Sequence, residues 1–218
     1  MSIDGYISGP TRTRLVLSND ADLERVDEVR ASCDAILVGA GTIRADDPQL
    51  LVRGPARRAE RAARGLPPSP VKVTVTAEAR LDPGARFFAA GDGEKLVYCA
   101  SDSVERAGVT LGAAATVVDA GSPVDLRWVA RDLSDRGIRR LMVEGGGSVH
   151  TQFLAERLAD ELQLVVAPFF VGDSRARRFV ADGRFPFHPD HRAELAEVRQ
   201  IGDVVLMRYA LSDRCCIR

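Results

Sequence analysis

Two segments carry the residues whose types and spacing could do chemistry. The first is residues 34–53, DAILVGAGTIRADDPQLLVR. Its Ala35-Ile36-Leu37-Val38 run is short and apolar, as one buried strand requires. Gly39 and Gly41 follow, where a missing side chain lets backbone approach a ligand. Thr42 is placed to cap a short helical turn, whose free N–H groups make an anion site. Asp46-Asp47-Pro48 ends that turn, because Pro48 disfavours helix for the residue before it. Arg53 closes the segment with a fixed positive charge suited to a phosphate or a carboxylate. The second segment, residues 141–148, again runs an apolar strand into glycines: Glu144, then Gly145-Gly146-Gly147-Ser148, then a helix. Its glycines let backbone N–H groups approach a pyrophosphate, and the helix adds its positive end. Such corners suit a nucleotide-dependent active site. Two of them in one chain predict a mostly parallel sheet with a ligand across its carboxyl edge.

Other elements must hold those corners. Ser18 or Asn19 caps a helix with Asp20 and Asp22 in its first turn. Leu23, Val26, Val29 and Cys33 repeat at helical spacing and should face the sheet. Arg30 lies beside that stripe near the helix end. It either reaches the sheet's carboxyl edge or pairs with the helix dipole. Arg57, Arg58, Arg61 and Arg64 read as one solvated basic helix face, and residues 66–70 as a stiff Pro-rich connector. Strands are expected at 71–76, 95–100, 116–119, 139–144 and 162–167. Ser101 is placed to cap a helical turn. Ser122-Pro123-Val124-Asp125 reads as a helix start, with Ser as cap and Pro first. Leu126, Val129, Ala130 and Leu133 form its buried stripe, Trp128 packs beside it, and Gly137 ends it. A helix over 148–158 carries Val149 and Phe153 one turn apart. Phe169 and Phe170 should continue the core, residues 177–189 are loop-like, and Gly202-Asp203 turns a hairpin between 194–199 and 204–210. Near the start, Asp4-Gly5 is a turn shaped by Asp4 itself, and residues 11–18 form a polar loop. This order predicts strands alternating with helices, then a closing antiparallel hairpin.

Composition narrows the function. The 218 residues carry 30 Lys+Arg against 31 Asp+Glu, a formal charge of -1. That argues against a nucleic-acid binder driven by bulk charge. A chain of this size buries roughly 70–75% of its unfolded surface without staples. No apolar run reaches membrane-spanning length and no basic-then-apolar leader opens the chain, so a cytoplasmic protein is expected. Cys33, Cys99, Cys215 and Cys216 form no CxxC pair and are expected reduced. The terminal CCIR imitates a prenylation box, but its final Arg argues against one. No metal is expected: His188 and His191 lack further ligands, and His150 either approaches phosphates or covers helix surface. No Ser-His-Asp order or Cys-His pair stands out.

The 34–53 segment, with MSIDGYI at the start and LMVEGGGSVHTQFL later, resembles the reductase domain of bacterial riboflavin biosynthesis, the RibD C-terminal family, over residues 2–211. The resemblance implies a dihydrofolate-reductase-like α/β fold: three layers, α/β/α, a central mostly parallel mixed sheet and a C-terminal antiparallel hairpin. It implies one reductase domain over 1–218 without the deaminase, whose HxE…PCxxC zinc motif is absent. A homodimer paired through the sheet edge or the C-terminal strands also follows. NADPH would be held by Gly39, Gly41, Thr42, Asp46, Thr76, Gly145, Gly146, Gly147, Ser148 and Val149. Arg30, Leu50, Arg53 and Glu144 would face a phosphorylated aminopyrimidine, 5-amino-6-(5-phosphoribosylamino)uracil or a close diaminopyrimidinone relative. Asp46 and Glu144 are the catalytic candidates. Arg53 suits the 5′-phosphate, since its planar fork matches phosphate oxygens. Glu144 binds ring amino groups or the ribose, or else pairs with a neighbouring Arg. Asp46 orients the nicotinamide ribose or moves a proton; sequence does not separate these.

The implied reaction sends a nicotinamide hydride to C1 of the ring-opened, imine-like ribose, giving a ribitylamino product. The chain departs from the family's pattern in three places. Tyr6 stands where members concerned with riboflavin often carry Lys or Arg. Ala77 stands where Ser commonly meets the 2′-phosphate; Thr76 or Arg80 substitutes for it, and NADH stays open. The first strand that normally precedes the MSIDGYI motif in the family is expected to be missing here, or nearly so. A dihydrofolate-like pterin reductase, a reductase of a specialised pathway and a catalytically silent nucleotide-binding protein are the alternatives.

Overall fold

The computed structural model describes residues 1–11 and 15–215. Part of the expected 11–18 loop, and residues 216–218 of the terminal CCIR, lie outside the described residues. The chain divides into two compact units, Val26–Gly146 and Met1–Arg25 with Gly147–Arg218. The division falls within the first helix, α1 (Asp20–Ser32), and within the glycine triplet.

The Val26–Gly146 unit is built on a parallel sheet. Its strands are β1 (Ala35–Gly39), β2 (Val71–Thr76), β3 (Lys95–Cys99), β4 (Thr116–Asp119) and β5 (Leu141–Gly145), in the order β4-β3-β2-β1-β5. All pairs are parallel, so every carboxyl end emerges on one edge. Helices α2 (Ala40–Asp46), α3 (Pro55–Ala63), α4 (Arg86–Ala89), α5 (Val104–Leu111) and α6 (Leu126–Asp135) fall between them in sequence. Every residue of β1 is buried, as expected for a parallel strand covered on both faces. Ile36, Val38, Ile43, Leu50, Phe87 and Phe88 join one core cluster. Two polar residues of β2 are buried with it. Lys72 Nζ donates to the carbonyls of Phe87 and Ala90 at the end of α4, whereas Thr74 Oγ1 has no hydrogen-bond partner among the described residues.

Several local expectations need correction. The apolar stripe along α1 is hidden only in part: Cys33 is buried and Val26 and Val29 are half-buried, but Leu23 is exposed, and Asp22 and Asp27 are buried beside them. Each carboxylate is satisfied where it lies, Asp22 by Arg25 and Asp27 by donors described below. Asn19 does cap α1, its Oδ1 accepting from Asp22 N–H. The basic helix α3 is not simply solvated. Arg61 is buried and donates to the carbonyls of Ala31, Cys33 and Pro67, answering the orphan acceptors at the end of α1. Helix α6 starts three residues later than expected. Asp125 caps it, accepting from Arg127 and Trp128 N–H, and Gly137 ends it at φ +89° as foreseen. Ser101 donates to Asp119 instead of capping.

The second unit holds α7 (Gly147–Ala155) and the antiparallel strands β6 (Glu161–Val166), β7 (Glu194–Ile201) and β8 (Val204–Ala210), in the order β6-β8-β7. The expected hairpin is there, turned at Gly202 with φ +61°. Cross-strand register puts Leu162, Leu164, Val166, Val205, Met207, Tyr209, Leu195 and Val198 on one face. That face is only half covered: Leu195 is 53% and Val198 59% exposed. The opposite face buries Val204, Leu206 and Ala210 and carries Arg208 between Glu161 and Glu197. Asp4 does more than shape its turn. It accepts from the N–H groups of Val171 and Gly172 and from Ser2 Oγ. The Ser2 bond first, then those amides, hold its carboxyl down at about 2. Phe170 is 69% exposed and does not continue the core.

Candidate functional site

The carboxyl ends of β1 and β5 meet. Their parallel register runs Ala35↔Leu141 to Leu37↔Val143, then jumps to Val38↔Gly145. Glu144 is the residue skipped, a bulge of the kind that re-aims a side chain at a sheet end. Glu144 points to α1, where Arg30 grips it at two points, Nε–Oε1 at 2.5 Å and Nη2–Oε2 at 2.6 Å. Both side chains are 14% exposed. Burial pulls the Arg30 pKa down and the Glu144 carboxylate pulls it up, with a net rise. One residue beyond Glu144, a β-carbon on Gly145 would touch Thr42 Oγ1 at 3.4 Å. The end of β5 and the start of α2 therefore form one rim.

Thr42 is not the cap of α2. Gly39 is, and no side chain caps that helix end, so its first amides are left for another acceptor. Gly41 and Thr42 lie in the first turn, half-buried, and Asp46 is exposed at the last residue of α2. Asp47 turns the chain at φ 42° and pairs with Arg86. Gly146 sits at φ +93°, a conformation that suits glycine.

The loop after α2 is stitched almost entirely by side chains. Leu50 is buried with φ +50°, a backbone that costs a non-glycine residue about 1–3 kcal/mol and persists only where its surroundings impose it. Those surroundings are visible. Arg30 Nη1 reaches Leu51 O at 3.4 Å, Ser69 Oγ accepts from Val52 N–H, and Arg58 donates to the carbonyls of Val52 and Arg53. Asp27 accepts from Arg53 N–H at 2.6 Å and Gly54 N–H at 2.9 Å and pairs with Arg57. Burial raises the Asp27 pKa, but the two amides and Arg57 lower it further, for a net fall. The loop is thus held in one shape, and the Arg53 side chain it presents is exposed, without hydrogen bond or ion pair among the described residues. Asp27 was missed in the sequence because it sits outside both motifs, one position from the stripe residue Val26.

Farther along the same edge, Thr76 Oγ1 accepts from Ala79 N–H. A cleft of about 390 Å³ opens there, lined among others by Ala77, Arg80, Ser103 and Arg106. Arg80 pairs with Glu78 in the open, and Arg106 donates to Glu78 O and Ser103 Oγ. From β5 through β1 and β2 to β3 is three strand spacings, roughly 14 Å. Uncapped amides stand at one end of that path and guanidinium groups at the other, which fits a dinucleotide bearing phosphates along its length.

In the second unit, Ser148 is exposed and Val149 buried at the start of α7. A β-carbon on Gly147 would lie 2.6 Å from Arg178 O, so that glycine is required by packing. Arg178 also lies over the ring of buried Tyr6, 4.9 Å from its centroid. His150 Nδ1 lies 3.2 Å from Phe179 O. Among the described residues, no cluster of His, Cys, Asp or Glu is arranged to hold a metal, and no helix is long and apolar enough to cross a membrane.

The family model for the RibD C-terminal domain matches residues 1–207. The chain belongs to that family. Among its relatives is the 2,5-diamino-6-ribosylamino-4(3H)-pyrimidinone 5′-phosphate reductase of Archaeoglobus fulgidus, 36% identical over 184 residues, 84% of this chain and 83% of that protein. The protein of the same name from Methanothermobacter thermautotrophicus is 35% identical over 214 residues, 97% of this chain and 94% of that one. A solved pyrimidine reductase-like protein of Corynebacterium diphtheriae superposes with a TM-score of 0.82 at 21% identity, covering 96% of this chain and 88% of that one. That likeness bears on the fold, and it agrees with the dihydrofolate-reductase-like α/β architecture of the RibD C-terminal family.

Proposed function

We propose that the chain is a NADPH-dependent reductase of riboflavin biosynthesis, acting on 2,5-diamino-6-ribosylamino-4(3H)-pyrimidinone 5′-phosphate. The substrate reading follows the names of the two relatives sharing 36% and 35% identity. The observation that carries it is Arg30, which touches both Glu144 and the carbonyl of Leu51. One guanidinium thereby ties the β5 corner to the loop that presents Arg53. In this reading Arg53 takes the 5′-phosphate by paired, charge-assisted hydrogen bonds. Glu144, oriented by Arg30, accepts from ring amino groups or ribose hydroxyls. Leu50 supplies an apolar wall.

NADPH, when bound, supplies the hydride that converts the ring-opened ribosylamino carbon to ribityl. The chain's own residues bind and orient it. The amides of Gly39, Gly41, Thr42, Gly145 and Gly146, and those of Gly147, Ser148 and Val149 opening α7, hold phosphate and nicotinamide groups. Asp46 faces the nicotinamide ribose or relays a proton. Thr76 marks the adenosine end, and Arg80 with Arg106 favours the 2′-phosphate of NADPH over NADH. Two copies pair through the apolar face of the β6-β8-β7 sheet, and the enzyme works in the cytoplasm.

Arg53→Ala tests the substrate half. The reading expects a KM for the phosphorylated substrate raised roughly 100-fold, as loss of charged hydrogen bonds worth about 3 kcal/mol implies. An unchanged KM would leave the pterin reductase, which needs no phosphate clamp, as the better reading.

A further inference from the structure

We propose that Asp27 is the positioning residue for Arg53: from its buried place on α1 it fixes the turn that aims the phosphate-binding guanidinium. The proposal rests on the phosphate reading of Arg53. Asp27 is 3% exposed, and among the described residues the donors to its carboxylate come from one short stretch: Arg53 N–H at 2.6 Å, Gly54 N–H at 2.9 Å and Arg57 Nη1 at 3.2 Å. Two successive amides converging on one carboxylate fix the two peptide planes that flank the Arg53 Cα, and with them the direction in which its Cβ leaves the backbone. The guanidinium itself has no partner among the described residues, so its direction is set by the backbone, which Asp27 holds at the amides and Arg58 at the Arg53 carbonyl.

Gly54 carries the mark of the same arrangement. Its φ of -62° is ordinary for any residue. A β-carbon there would nevertheless lie 3.2 Å from Asp27 Oδ2 and 2.8 Å from Arg57 Nη1. A β-carbon there would displace the tip of Arg57 and press on the carboxylate, because the turn lies so close on it. Three residues along α1 from Asp27, and so on the same side of the helix, Arg30 grips Glu144. One helix therefore sets the distance between the phosphate end and the ring end of the substrate. Asp27 governs affinity without touching the ligand.

The test is steady-state kinetics of the full chain as Asp27→Asn, Arg53→Ala and the double variant, with the phosphorylated substrate and its dephosphorylated form. Asn keeps one acceptor but turns an NH₂ group against the second amide. The expected result is a KM for the phosphorylated substrate raised about tenfold by Asp27→Asn, as one lost charged hydrogen bond implies, with kcat within about twofold. KM for the dephosphorylated form stays as it was. In the Arg53→Ala background the Asp27 change adds nothing, the signature of action through Arg53. Effects that multiply, or a fall in kcat with KM unmoved, would overturn the proposal alone. A KM indifferent to Arg53→Ala would overturn the phosphate reading and the proposal together. Should Asp27→Asn fail to fold, Gly54→Ala presses on the same carboxylate. A raised KM that vanishes in the Arg53→Ala background supports the proposal, and an unmoved KM contradicts it.

Discussion

Arg30 and Glu144 are joined at two points, across 2.5 Å and 2.6 Å, with little water around either side chain. The pair links the last turn of α1 to a bulge at the end of β5. A charge pair in that position orients a carboxylate without neutralising its capacity to accept, because a carboxylate has about four acceptor sites and Arg30 uses two of them.

Removing one partner should therefore cost more than removing both. Arg30→Met strands the Glu144 charge and is expected to lower unfolding free energy by about 2–4 kcal/mol. The Arg30→Met/Glu144→Leu double variant should recover part of that loss in urea unfolding. Neither variant should recover turnover. A double variant less stable than Arg30→Met would contradict this account of the pair.

Lys72 gives a pH dependence of stability. Burial, then the neighbouring Lys95 charge, pulls its pKa down from 10.5 to about 8. In the unfolded chain the group holds its proton more tightly, so stability from this residue is complete above pH 10.5 and is lost as pH falls through about 8. Between pH 8 and pH 9 the gain is about 1 kcal/mol. Lys72→Met should abolish that rise. A Lys72→Met protein with the same slope over that range would assign the rise to other groups.

Thr74 carries a buried hydroxyl with no partner among the described residues. Thr74→Val replaces it with a methyl of the same shape, inside a strand where β-branched residues fit. The variant should be more stable by about 1 kcal/mol, a Tm rise of roughly 2–4 °C. A lower Tm would mean that the hydroxyl is satisfied in solution.

The half-covered face of the β6-β8-β7 sheet should be the dimer contact. Leu195 and Val198 are more than half exposed there, and a patch of this kind marks an association surface. Val198→Asp is expected to convert a dimer to a monomer by light scattering. A mass equal to the parent's would remove this face from consideration.

Much of the fold could be read from periodicity. Strands 35–39, 71–76, 95–99 and 116–119 announce themselves by apolar or alternating residues, and Gly202-Asp203 marks the hairpin. What could not be read depends on partners distant in sequence. A buried Asp22 or Asp27 breaks the expected stripe of α1, and only their donors explain why they are tolerated. Arg61 looks like a solvated charge until the end of α1 is brought beside it. The bulge that turns Glu144 toward Arg30 leaves no local trace at all, because it arises from the pairing of β5 with β1. Glycines show the same limit: Gly147 is needed because Arg178 O approaches it, a contact from far along the chain.

The most direct test is NADPH oxidation by the purified chain with 2,5-diamino-6-ribosylamino-4(3H)-pyrimidinone 5′-phosphate, with the dephosphorylated compound, a dihydropterin and NADH run alongside. The account predicts NADPH-dependent formation of the ribitylamino phosphate, with weaker turnover of the dephosphorylated form and of NADH. Cofactor binding without consumption, or turnover of the dihydropterin alone, would contradict it.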